Sequence, residues 1–167
     1  MTNKHPEQSS VDEAKLWDLA ASIRIAMLTT RTSDTVSSRP MYALVDQVNQ
    51  LVRFITEKNS VKITEAQENP KVMITFSNGT DGDHAVLHGT LNIIDDKDRL
   101  AEFWNPGADL FFPKGATDPN AVLLEFEPAT GEFWSGGSGL LAFAINYAKA
   151  KFTGVRPEVG DHAKLNM

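Results

Sequence analysis

From His84 to Ile94 the residues Ala85, Leu87, Gly89, Leu91 and Ile93 fall at every second position. A period of two held over that distance describes a pleated strand with one buried face; an amphipathic helix would place its apolar residues every three to four positions. The same signal recurs along the chain. Lys71 to Phe76 carries Val72, Ile74 and Phe76 on one face, and Ile23 to Thr30 and Val36 to Val45 read as a hairpin around a polar turn. Leu51 to Thr56 is a further strand, and Ala121 to Phe126 with Gly131 to Trp134 gives the last extended material. About six strands in a chain of 167 residues must hide their edges, so we expect a mainly β fold: a closed antiparallel β-barrel with helical decoration.

Helices fill the gaps. Ser10-x-x-Glu13 is a capping-box pattern ahead of Leu16, Leu19, Ala20 and Ile23, which predicts a first helix from about Val11 to Ser22 with Trp17 in the core. A second helix starts at Ser60 and is closed by Asn69-Pro70, and Asp95 and Asp96 cap a third, Asp96 to Trp104. Asn105-Pro-Gly and Phe112-Pro-Lys-Gly bracket an irregular segment. Gly136-Gly-Ser-Gly139 reads as a hinge before an amphipathic helix, Leu140 to Ala150, that docks on the barrel or on a second subunit. Residues 1–167 read as one domain, with tail-like ends at 1–10 and from about 155 to 167.

Charge and cysteine content narrow the function. A net charge of −6 argues against a nucleic-acid or anionic-membrane binder, which needs a basic face. With no cysteine there is no thiol redox centre or cysteine-ligated metal, so any redox chemistry must come from a bound cofactor. His84 and His88 share a strand face, but His5 and His162 lie in the expected tails, and no third ligand is evident. From the polar N-terminus and the lack of a long apolar run we expect a soluble, cytoplasmic protein.

The chemistry-bearing stretch is Arg53-Phe-Ile-Thr-Glu-Lys-Asn-Ser-Val-Lys-Ile63. A strand stops at Thr56 and a helix starts at Ser60 with Lys62 in its first turn. Free helix N–H groups, two hydroxyls and one ammonium would converge there on a phosphate. The plainer reading is an ordinary N-cap with a solvated lysine. In Ser37-Ser-Arg-Pro-Met41 a proline within a strand marks an edge, a bulge or a place where something approaches. Arg39 is either a surface arginine or faces an anionic ligand. Trp104 and Trp134 each end an element, where an indole covers a core, a subunit seam or a ligand.

Taken in order, Ser38-Arg-Pro-Met41, Phe54-Ile-Thr-x-x-x-Ser-x-Lys62, Asn69-Pro70, Phe103-Trp-Asn-Pro106, Phe112-Pro113, Asp118-Pro119 and Glu132-Phe-Trp134 carry a resemblance over almost the whole chain. The sequence resembles the general stress protein branch of the pyridoxamine 5′-phosphate oxidase-like flavin-binding split barrels. That resemblance implies a six-stranded antiparallel split barrel, a homodimer, and two FMN molecules at the subunit interface, with FAD or riboflavin as alternatives. It implies that Thr56, Ser60 and Lys62 grip the FMN phosphate and that Ser38, Arg39, Pro40 and Met41 run along the isoalloxazine. Phe54 and Ile55 lie close to the ring on the next strand, Trp104 joins the site, and Trp134 reaches the partner's flavin.

Two departures qualify it. Val61 stands where the oxidases carry a basic residue beside the phosphate-binding lysine, which implies a weaker grip. The Arg-x-His-Asp-Arg motif that ends the oxidases is replaced after Trp134 by Ser-Gly-Gly-Ser-Gly, so vitamin B6 oxidase activity is not expected. The function that follows is an FMN-binding stress protein with flavin-dependent oxidoreductase activity. The alternatives are a flavin carrier or sensor, or a barrel for another phosphorylated planar ligand.

Overall fold

The computed structural model describes residues 6–136 and 161–167. Helix α1 (Pro6–Ile23) is followed by strands β1 (Ile25–Arg31), β2 (Val36–Tyr42), β3 (Leu44–Asp46) and β4 (Leu51–Glu57). Then come α2 (Val61–Glu68), β5 (Lys71–Asn78), β6 (Asp83–Ile94), α3 (Lys97–Glu102), α4 (Pro106–Asp109), β7 (Ala121–Ser135) and β8 (Asp161–Asn166). All strand pairs are antiparallel, in the order β2-β1-β5-β6-β7-β4-β3, with β8 added to β7.

The two ends of that path, β2 and β3, are consecutive pieces of one segment joined at Ala43. The first piece pairs with β1 and the second with β4, so the chain itself carries the sheet from one end back to the other. Counted that way, the ring has the six strands expected, and the fold is a split barrel decorated by helices. Ala43 is buried and donates its N–H to the Arg24 carbonyl at 2.7 Å. Arg24 turns the chain from α1 into β1 with φ 62°, a left-handed conformation uncommon outside glycine.

Alternation along the strands sets the core. Leu28, Phe54, Ile74, Phe76, Leu87, Phe126 and Phe133 point inward, and α1 covers them with Leu16, Trp17, Leu19 and Ala20, its 3–4-spaced stripe. A second cluster lies where the α3–α4 segment covers β4 and β7: Leu100, Ala108, Phe112, Ala121 and Leu123.

Several expectations change. The first helix starts at Pro6, so Ser10 lies inside it and Glu13 bonds Gln50 instead of closing a capping box. At α3 only Asp96 caps, its carboxylate accepting from the N–H groups of Asp98 and Arg99, while Asp95 pairs with Lys58. The third helix ends at Glu102, short of Trp104. The last two extended runs are one strand, β7, with a register shift at its middle. His88 faces Thr130 and Gly89 faces Pro128, leaving Ala129 as an extra residue. The C-terminal stretch expected as a tail contains β8, with Gly131, Phe133 and Ser135 opposite Leu165, Ala163 and Asp161. The expected Leu140–Ala150 helix, and all of its glycine hinge except Gly136, lie outside the described residues.

At the joint between β3 and β4, Arg53 is buried and donates to Asp46 Oδ2 at 2.8 Å and Glu125 Oε2 at 2.6 Å, over the Phe103 ring. Hydrogen bonding to Arg53, then to the Asn49 side chain and backbone N–H, lowers the Asp46 pKa from 3.8 to about 2. A depressed carboxylate pKa stabilises the fold above the unfolded value, and the gain is lost as pH falls through the folded one. Asp46→Asn is therefore expected to lose about 2 kcal/mol near neutrality. The difference from the native chain should shrink between pH 4 and about 2. Urea unfolding across that range tests it; a difference independent of pH would remove the ion pair from the account.

Candidate functional site: a cleft with an anion end

A cleft of ≈ 720 Å³ opens beside the unpaired edge of β2. One wall is Pro40, Met41, Tyr42 and Leu44, the floor carries Ile55 and Thr56 of β4, and Asn105 to Phe112 forms the facing wall. Lys62 and Glu57 stand at one end. Because β2 pairs only with β1 among the described residues, Pro40 can sit on that edge without breaking a ladder bond.

The end with Lys62 gathers hydrogen-bond donors. Lys62 Nζ donates to Thr56 Oγ1 at 2.9 Å, which holds the ammonium over the end of β4. Burial, and then the Arg39 cation, lower the Lys62 pKa from the ordinary lysine value, while Glu57 and Glu65 act in the opposite sense. Ser60 is the N-cap of α2 by position, yet its hydroxyl makes no bond to the helix N–H groups. It donates instead to the Glu57 carbonyl at 2.8 Å. No acidic residue occupies the first turn. The helix start thus keeps N–H groups and its positive dipole end for something other than its own cap. An ammonium, a hydroxyl and an open helix terminus form a donor set that fits a phosphate.

Of the residues the sequence nominated, Pro40, Met41, Ile55, Thr56 and Lys62 line this cleft. Ser60 stands behind it through its bond to Glu57. Ser38 lies two residues up β2 from Pro40 and its hydroxyl accepts from Thr29 Oγ1 at 3.0 Å. Phe54 is a fully buried core residue, and Val61 is 71% exposed; neither lines the cleft.

Arg39 does not line the cleft, and its side chain turns to an acid of α2. It reaches under α2 to Glu65 Oε2 at 2.6 Å and Thr30 Oγ1 at 2.6 Å. Glu65 also accepts from the Thr30 hydroxyl, at 2.6 Å, and that bond is the first cause of its lowered pKa. The Arg39 charge is thereby largely answered inside the protein.

Trp104 is part-buried behind the cleft wall, its Nε1 donating to Asp109 Oδ1 at 2.8 Å and its ring edge-on to Phe112. Both contacts are to the Asn105–Phe112 segment, and Trp104 itself is not among the lining residues. Trp134 does not join these residues. Val122 pairs with Thr56, and Trp134 lies twelve residues further along β7, a contour of roughly 40 Å. There it pairs with His84 and His162, and its ring stacks on His162 with centroids 5.2 Å apart. His162 Nε2 lies 2.6 Å from Glu132 Oε1, which binds β8 to β7 beside that stack. His84 Nδ1 is 2.6 Å from Ser77 Oγ, and among the described residues no three metal-ligating side chains converge.

Sequence reasoning missed the facing wall. Leu110 and Phe111 are 83% and 74% exposed, yet they are held in place, because Ala108 and Phe112 on either side are anchored in the second cluster. The signal was present as a Leu-Phe-Phe run inside an irregular segment, although such a run has no period to place it.

Residues 12–158 match the sequence model of a family described as pyridoxamine 5′-phosphate oxidase like. The chain belongs to that family. Among solved structures, one from Jannaschia sp. CCS1, described as a general stress protein 26, is 30% identical with a TM-score of 0.78. The match covers 95% of this chain and 99% of that one. The general stress FMN/FAD binding protein from Xanthomonas citri is 26% identical with a TM-score of 0.68, over 77% of this chain and 91% of that chain. Protein bli-3 of Neurospora crassa is 25% identical over 156 residues, 85% of this chain and 75% of its own length. In this pyridoxamine 5′-phosphate oxidase-like chain, β8, the strand that stacks His162 on Trp134, lies beyond the residues that the family model matches.

Proposed function

We propose that this chain is a general stress protein that binds a flavin nucleotide, FMN in the first place, in the cleft between β2 and the Asn105–Phe112 wall. The observation that carries this reading is a cleft with two characters: an anion end made by Lys62, Thr56 and the open start of α2, and apolar walls for a planar ring. The phosphate would meet Lys62 and the isoalloxazine would lie along Pro40 to Tyr42. The Xanthomonas citri relative, described as an FMN/FAD binding protein, supports the same ligand class.

A homodimer is part of the proposal. The outer sheet face carries exposed Ile25, Met27, Val36, Tyr42 and Trp134, and the register sets Tyr42 opposite Ile25 and Pro40 opposite Met27. An apolar face of that kind is covered in a second copy of the chain. Trp134, remote from its own cleft, would reach the partner's flavin. No described helix is long and apolar enough to cross a membrane, and a cytoplasmic location belongs to the same reading.

A bound flavin supplies electron-transfer chemistry of its own. The protein's share is binding, orientation and access, because Tyr42, Glu57 and Lys62 are the titratable groups on the cleft and Lys62 is committed to the anion. That sparse set also favours the second reading, a flavin carrier or sensor without turnover. The vitamin B6 oxidase reaction is not part of the proposal. Titrating the protein with FMN, FAD and riboflavin, beside its mass in solution, is expected to give a dimer that binds FMN most tightly. A colourless protein whose tryptophan fluorescence ignores FMN would end both readings. Binding without reduction by NADH or NADPH would select the carrier.

A further inference from the structure

We propose that Glu57 sets how strongly the cleft grips a phosphorylated ligand, by offsetting the positive charge that Lys62 and the start of α2 present to the phosphate. The inference rests on the reading that the ligand's phosphate meets Lys62. Among the described residues that line the cleft, Lys62 is the one cation and Glu57 the one anion. Arg39, a further cation that acts on Lys62, is bound to Glu65. A phosphate entering this end therefore meets a rim whose formal charges cancel.

The position of Glu57 is fixed by its backbone. Its carbonyl accepts the Ser60 N–H at 3.3 Å and the Ser60 hydroxyl at 2.8 Å, and the next residue, Lys58, donates its N–H to the Asn120 carbonyl at 2.7 Å. Its carboxylate, in contrast, makes no hydrogen bond or ion pair among the described residues. Other acids of this fold do: Asp46 and Glu125 hold Arg53, Glu65 holds Arg39 and Asp95 holds Lys58. The carboxylate also acts on the Lys62 ammonium, raising its proton affinity against the effect of burial. The plainer role for such an acid is to favour the dipole of α2. That effect is confined to the first turn, and Glu57 lies outside it, on β4. What remains is a carboxylate on the cleft wall, beside the ammonium that would hold the phosphate. Its electrostatic effect opposes an anion and is indifferent to an uncharged ligand.

FMN and riboflavin differ only in the phosphate, so the ratio of their affinities reads this effect directly. Glu57→Gln is expected to tighten FMN by roughly three- to tenfold and to leave riboflavin within about twofold, with the gain shrinking at high salt. Glu57→Lys is expected to move FMN further in the same direction. A gain of affinity is a readout that local damage to the fold does not produce. Unchanged or weaker FMN binding in both variants would overturn the inference. An equal loss for both flavins would also overturn it, and would make Glu57 an acceptor for the sugar hydroxyls the two share. Failure of the underlying reading looks different: the native protein would bind neither flavin, or Lys62→Ala would weaken both alike.

Discussion

Gly89→Ala is expected to destabilise the protein by about 3 kcal/mol or more, at or beyond the upper end for an overpacked core site. A Cβ built on Gly89 would lie 2.1 Å from the Glu127 carbonyl oxygen and 2.8 Å from Pro128 Cα. Both are backbone atoms of the partner strand at the register shift, where neither can swing aside without parting β6 from β7. Gly131 provides the control. A Cβ there would meet the ends of the Leu16 and Leu87 side chains at 2.7 and 2.9 Å, and such atoms can move. Gly131→Ala should therefore be the milder change. Denaturant unfolding of the two variants compares them; equal losses would mean that the bulge yields more easily than its geometry indicates.

Lys62→Ala is expected to have the largest effect on binding. Removing a charge-assisted contact to a phosphate costs about 1.5–3 kcal/mol, roughly a ten- to 150-fold loss of FMN affinity. Riboflavin, which has no phosphate, should be affected little. Because Lys62 is held by Thr56, the ammonium is already placed before a ligand arrives, and little ordering is left to offset the gain. A calorimetric or fluorescence titration with both flavins decides the matter, and equal losses would show that Lys62 does not meet the phosphate.

Much of the barrel was legible because its strands alternate. The runs that became β5 and β6 were read with nearly their final limits, and the β1–β2 hairpin was read with its partner. What was lost had physical reasons. Pro128 and Ala129 interrupt the alternation at the bulge, so one strand looked like two. In β8, Ala163 and Leu165 are its buried pair, too short a pattern to show in a polar C-terminal stretch. The donor set from Thr56 to Lys62 was legible because its parts lie close together in sequence. The facing wall was not, since it arrives from Asn105 to Phe112 through tertiary packing alone. The Arg39–Glu65 pair was not legible for a related reason: its two residues lie on different elements, and nothing local marks them.

The joint at Ala43 gives the cleft a mechanical meaning. Tyr42 and Leu44 both line the cleft, but one ends the strand that pairs with β1 and the other begins the strand that pairs with β4. A planar ligand lying along Pro40 to Leu44 would rest on both sides of the seam at once, like a splint across a hinge. Separating the ends of the sheet would then require losing the ligand, so occupancy of the cleft and resistance to unfolding are thermodynamically linked.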